Sequence, residues 1–170
     1  MTSASTPQLE LWIETTEPAT VPPSEVPAEA TWQTWFSTWL AALAPTESPI
    51  NHYEVSLLLT NDAGIQQLNA SYRQQDRATD VLAFAAQETE MPGTQTLYQT
   101  EPFPLGDIII SVETAQRQRH DASYSLRQEL AWLAAHGLLH LLGWDHPDAA
   151  SLANMLREQT SLLKQIELMF

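Results

Sequence analysis

The segment "HGLLHLLGWDH" at residues 136–146 places three histidines and a glycine in a fixed spacing. This segment restricts the fold more than any other part of the chain. His136 and His140 stand four residues apart, so on a helix their side chains project from one face, one turn above the other. Gly143 lets the chain leave that helix sharply. His146, three residues further on, then swings back toward the same point. The pattern therefore demands a helix closed by a glycine turn, with three imidazoles converging from one side. Three neutral nitrogens with a fourth position open to water is the catalytic zinc arrangement, whereas structural zinc sites are closed and rich in cysteine. Zn²⁺ suits imidazole, and Ni, Co or Fe also bind such donors. The chain has no cysteine, so a transition metal must sit on His, Asp or Glu.

The spacing H-x-x-x-H-x-x-G-x-x-H is also that of the metzincin metallopeptidases, which carry Glu directly after the first histidine as general base. Here that position is Gly137. The metal cradle is kept and the peptidase base is missing. Glu129 lies two helical turns before His136, about 10 Å along the axis, too far to be a ligand. His52 and His120 read as surface or structural residues.

The rest of the chain alternates strand and helix patterns without strict βαβ order. "QLELWIET" (8–15) and "HYEVSLLLT" (52–60) read as strands, as do "DVLAFA" (80–85) and "LGDIIISV" (105–112). "TWQTWFSTWLAALA" (31–44) has Trp32, Trp35, Phe36, Trp39 and Leu40 at helical spacing, a core stripe. Residues 61–73 open on Asn61 and Asp62 and read as a capped helix. A helix is expected from about Ser123 to Leu142, with Ser125 and Gln128 at capping-box spacing and Leu126, Leu130, Leu133 and Leu141 on one stripe. A last amphipathic helix runs from about Pro147 to Leu168. Residues 17–30 form a Pro- and acid-rich loop, and residues 87–104 a loop long enough to act as a mobile lid. The class expected is α+β, a small mixed sheet of about four strands packed with helices, its metal-binding helix like that of zinc metallopeptidases. Residues 1–170 are expected to form one domain.

Charge narrows the function. Seven Lys and Arg stand against 21 Asp and Glu, a formal net charge of −14. Such a chain does not hold nucleic acid by broad electrostatics and needs a small local basic site or a partner's help. No apolar run approaches the roughly 18 residues of a membrane helix. The first basic residue is Arg73, so the basic region of a signal peptide is absent, and a cytoplasmic protein is expected.

Three segments resemble the YbeY family, bacterial metal-dependent endoribonucleases of rRNA maturation: "HGLLHLLGWDH" (136–146), "LNASYRQQDRATDVLAF" (68–84) and "LGDIIIS" (105–111). They fall in the family's order within about residues 50–148. Departures are Trp144 where Tyr or Phe is common, Ala83 for Ser, Ala85 for Pro, and a longer 87–104 loop. The resemblance implies one Zn²⁺ held by His136, His140 and His146. It implies Arg73 as the catalytic, substrate-contacting residue, clamping a phosphate or stabilising charge on a pentacovalent phosphorus. Asp145 is a candidate to orient a ligand histidine, or equally to cap the helix that follows. Asp107 is a candidate supporting residue that hydrogen-bonds a neighbouring loop, and Asp80 reads first as structural.

The implied activity is single-strand-specific cleavage of rRNA precursors, especially at the 3′ end of 16S rRNA, with a part in ribosome quality control. The implied partners are single-stranded RNA and the ribosomal subunit or its proteins, with no membrane. No strong general base is evident, and either water or the RNA 2′-hydroxyl would be the nucleophile. Two alternatives stand beside this reading. One is a non-catalytic ribosome-assembly factor with a structural metal site. The other is a metal hydrolase acting on a substrate other than RNA.

Overall fold

The computed structural model describes residues 6–16, 23–89, 94–119 and 125–168. His120, the expected helix start at Ser123, residues 17–22 of the first loop and 90–93 of the second lie outside them. Four strands are present: β1 (Gln8–Thr15), β2 (His52–Thr60), β3 (Val81–Ala85) and β4 (Phe103–Ser111). They form one sheet in the order β1-β2-β4-β3. β1, β2 and β4 run parallel, and β3 closes one edge antiparallel to β4. The helices are α1 (Glu29–Leu43), α2 (Asp62–Arg73), α3 (Val112–Gln118), α4 (Leu126–Leu141) and α5 (Ala149–Gln165).

One face of the sheet is covered by α1, α4 and α5, and the other is covered by α2 only in part, leaving Trp12 and Asp107 exposed. The main core takes Tyr53, Val55, Leu57 and Leu59 from β2 and joins them to the aromatic stripe of α1, the apolar positions of α4, and Met155, Leu162 and Leu163 of α5. Trp32, Phe36, Trp39 and Leu40 are fully buried there, and the Trp39 Nε1–H donates to the Leu162 carbonyl at 2.9 Å, pinning α1 to α5. On the other face Ile65 of α2 packs with Leu82 and Ile109.

β4 supplies both faces through a bulge. Glu54 pairs with Pro104 but Val55 with Gly106, so one residue of β4 is skipped. The phase of alternation shifts there. Phe103 before the bulge, the skipped Leu105 itself, and Ile108 and Ile110 after it all enter the main core, whereas Ile109 faces α2. Gly106 has φ 137°, and a Cβ there would lie 2.1 Å from the Phe84 carbonyl oxygen, so the "LGD" glycine is required by backbone contact with β3.

The expected elements appear with three differences. α3 is additional: the 105–112 pattern predicts strand throughout, whereas Ser111 caps a seven-residue helix by accepting from Thr114 N–H. α5 begins at Ala149 and ends at Gln165, shorter than expected at both ends. The 87–104 segment is not a structureless loop in its described parts. Ala86–Thr89 and Thr94–Gln99 are 3-10 turns, β4 starts at Phe103, and Tyr98 packs on Phe103 with ring centroids 4.8 Å apart.

Candidate metal centre

α4 is the central helix, and its start and end are both set locally. Ser125 accepts from Gln128 N–H while the Gln128 side chain accepts from Ser125 N–H, the capping box expected from the sequence. At the other end Gly143, with φ 93°, donates its N–H to the His140 carbonyl, and Trp144 donates to Leu139. This pair is a Schellman motif, and its left-handed residue turns the chain back on the helix it has just left.

That turn brings His146 to His136 and His140. One nitrogen of each ring lies within 4.8 Å of those of the other two. The Nε2 atoms of His136 and His140 are 3.0 Å apart. Ligands about 2.0–2.1 Å from a tetrahedral zinc stand roughly 3.3 Å from one another, so the pair is already at chelating distance. His136 and His140 are half-buried, and His146 is exposed. Solvent therefore reaches the cluster from the His146 side.

Gln159 on α5, fully buried, orients the first histidine of the cluster. Its Nε2 donates to the Trp132 carbonyl at 2.9 Å, which turns its Oε1 toward His136 Nδ1 at 3.2 Å. An amide oxygen only accepts, so the His136 proton sits on Nδ1 and Nε2 presents its lone pair to the cluster. Burial lowers the pKa of both His136 and His140, and the neighbouring histidines lower them further. For His136 the Gln159 bond and the charge of Asp80 act the other way; for His140, a bond with the Trp144 backbone and the charge of Asp145 do. The net direction favours neutral imidazole, the form that binds a cation.

Gly137 has a packing reason for its identity. A Cβ there would lie 2.8 Å from Ile108 Cγ2, because α4 rests directly on β4 at this point. The position that carries the base in metzincins faces the sheet too closely for a side chain.

Arg73 is the last residue of α2, and the next residue, Gln74, turns into the left-handed conformation. Its Nη2 donates to the Ala83 carbonyl at 2.9 Å, its guanidinium lies over the Phe84 ring at 4.7 Å, and Glu88 is 3.8 Å away. The Ser-to-Ala departure at Ala83 leaves this contact intact, since the acceptor is backbone. Arg73 and His140 line one open cleft of about 480 Å³ together with Trp144 and Asp145.

The remaining candidates are placed as follows. The Asp145 carboxylate accepts from His146 N–H at 2.8 Å, so it stiffens the turn; its charge acts on His140. It does not cap α5. That role belongs to Asp148, which forms a capping box with Ser151. Asp107 lies exposed in mid-β4, opposite Ser56 and Phe84, and lines a different groove from the one that holds His140. Asp80 accepts from Val81 N–H and also contributes its charge to His136, a site role the sequence did not assign. Gln159 was missed as well. Its signal was position: a polar residue on the apolar stripe of α5, between Met155 and Leu162. His52 faces Glu10 at 3.6 Å, away from the cluster, as a structural residue.

Fold and site together define a class: an α/β protein with a three-histidine cluster, able to hold a metal ion, at the end of a central helix and open to a cleft that contains an arginine. Comparison with known proteins narrows it. The family model described as Endoribonuclease YbeY matches residues 22–167. Proteins named Endoribonuclease YbeY are similar to this chain in Acaryochloris marina, at 58% identity over 78% of this chain and 75% of theirs, and in Nostoc sp., at 55% over 80% and 73%. The solution structure of TM1509 from Thermotoga maritima shares the fold, with a TM-score of 0.56 and 22% identity, over 92% of this chain and 89% of that one. The chain belongs to the YbeY family.

Proposed function

We propose that this protein is a single-strand-specific, metal-dependent endoribonuclease of rRNA processing, acting at the 3′ end of 16S rRNA and in ribosome quality control. The observation that carries it is one cleft lined by both a metal-ligating histidine, His140, and the phosphate-matching guanidinium of Arg73. The relatives' name, Endoribonuclease YbeY, supports the same reading. The family match over residues 22–167 supports reading residues 1–170 as one domain.

His136, His140 and His146 would hold one Zn²⁺, for which three neutral imidazoles in an open arrangement are the matching donor set. When bound there, the ion supplies Lewis acidity at a phosphoryl oxygen and at water. Arg73, supported by the Ala83 carbonyl and the Phe84 ring, presents its remaining N–H donors to the scissile phosphate and offsets charge that develops on it. Gln159 fixes the tautomer of His136, and the Schellman turn fixes the approach of His146. Asp145 and Asp80 are positioning residues that act through the field at the histidines. Asp107 lines a neighbouring groove and is not among the residues of the His140 cleft.

No described helix is long and apolar enough to cross a membrane. The reading places the protein in the cytoplasm, where rRNA precursors and ribosomal proteins are its partners. The test is cleavage of single-stranded RNA by wild type, His140→Ala and Arg73→Ala. Loss of about 100-fold or more in both variants is expected, and full activity in both overturns the assignment.

A further inference from the structure

Arg73 lies at a boundary between clefts. On one side is the cleft of the histidines; on another is an open cleft of about 570 Å³ also lined by Arg77 and Arg117. Three of the seven Lys and Arg in the sequence thus face one cavity in a chain of net charge −14. Asp80 is the single carboxylate among its described lining residues, and it already accepts from Val81 N–H and Thr79 Oγ1.

The three arginines are not equivalent. Arg117 is held by Asp62 at 2.9 Å and by Thr114 Oγ1 at 3.1 Å, and Arg73 faces Glu88. Arg77 has no acidic partner among the described residues. Its backbone is nevertheless fixed: its N–H donates to the Gln75 carbonyl, and its own carbonyl accepts from the Asn69 side chain at 3.0 Å. An exposed, uncompensated guanidinium presented by a rigid turn is a ready anion contact.

Arg73 also lines a third groove, and that groove is acidic. There Glu14 and Asp107 stand beside the exposed Trp12 and Tyr72, and Glu88 borders both this groove and the histidine cleft. A polyanion extending from the histidine cleft past Arg73 meets carboxylates in that groove and guanidinium groups in the Arg77 cleft, so the field favours the second course.

We propose that the Arg77 cleft is a phosphate subsite for the RNA backbone, holding a phosphodiester beside the one cleaved at the histidine cluster. The proposal rests on the ribonuclease reading for its ligand. The probe is a hydrolysis-resistant 2′-O-methyl phosphorothioate strand of about twelve nucleotides, a length that spans a single-strand site. Its binding to wild type, Arg77→Ala and Arg77→Lys is followed by fluorescence anisotropy across salt concentrations. Arg77→Ala is expected to bind about fivefold more weakly and to lose about 0.7 from the slope of log K against log salt, the contribution of one phosphate contact on a single strand. Arg77→Lys is expected to keep most of both. With cleavable RNA of that length, Arg77→Ala is expected to raise KM and leave kcat unchanged, while cleavage of a dinucleotide, too short to reach the subsite, is unaltered.

Unchanged affinity and salt slope in Arg77→Ala overturn the subsite alone, provided the wild type binds RNA. Wild type that binds no RNA overturns both the subsite and the ribonuclease reading. Wild type that binds through Arg77 but cleaves nothing supports the subsite and overturns the enzyme.

Discussion

Gly137 shows how one residue answers to two constraints. In the sequence it reads as the loss of a peptidase base; in the fold it is the point where α4 touches Ile108. Gly137→Ala is expected to cost about 1–3 kcal/mol through overpacking, measured as a lower urea midpoint at unchanged m. Gln159 is a residue the sequence hid: it lies 23 positions from His136, and only the packing of α5 on α4 brings them together. Gln159→Leu is expected to weaken metal affinity about 10- to 100-fold, read by competition with a chromophoric chelator.

The two half-buried histidines also set a pH dependence. Their folded pKa values are lowered from 6.5 by burial, so the unfolded chain binds more protons. Their stabilising effect is fully present above the unfolded value of about 6.5 and is lost as pH falls from there toward the folded values. Denaturant midpoints should be flat above about pH 7 and decline below about 6.5. Metal affinity should fall over the same range, since protons compete for the ring nitrogens. A midpoint that rises on acidification would contradict this account.

At the level of elements, the four strands, the aromatic helix and the capped α4 were legible because their periodicities and caps are local. Two things were not. α3 follows β4 without a break, and its seven residues are too few to display a helical period against the apolar run before them. The face assignment of β4 depends on the bulge at Leu105, which reverses the alternation and can be seen only once the β2 pairing exists. α3 is tied to α2 by Asp62, whose carboxylate accepts from Ser111 and Thr114, both at 2.6 Å, and pairs with Arg117. Burial alone would raise the Asp62 pKa, but these donors outweigh it and lower the value. Asp62→Ala should cost about 1–3 kcal/mol, seen as a lower thermal midpoint. The Schellman turn is a second element-level test. Gly143→Ala meets no neighbour, so its cost comes from φ 93° alone, about 1–2 kcal/mol, with metal affinity reduced because the approach of His146 depends on that turn.

For the whole molecule, the histidine spacing announced the cluster, because an i, i+4 pair and a glycine turn are local geometry. That Arg73 reaches the same cleft follows from tertiary structure: the end of α2 is carried over β3 to face the end of α4. The acidity of the chain makes its few cations decisive. RNA affinity should depend on about two or three phosphate contacts, giving a slope of log K against log salt between about −1.4 and −2.1 rather than the steep dependence of a basic protein.

The central claim is that the three histidines hold a metal needed for RNA cleavage. The most direct measurement removes metal with a chelator and follows single-stranded RNA cleavage as zinc is returned to wild type and to His140→Ala. Wild-type activity is expected to rise from near zero and saturate at one ion per chain, while His140→Ala stays inactive throughout. Undiminished cleavage by the chelated wild type, or equal recovery in His140→Ala, would contradict the claim.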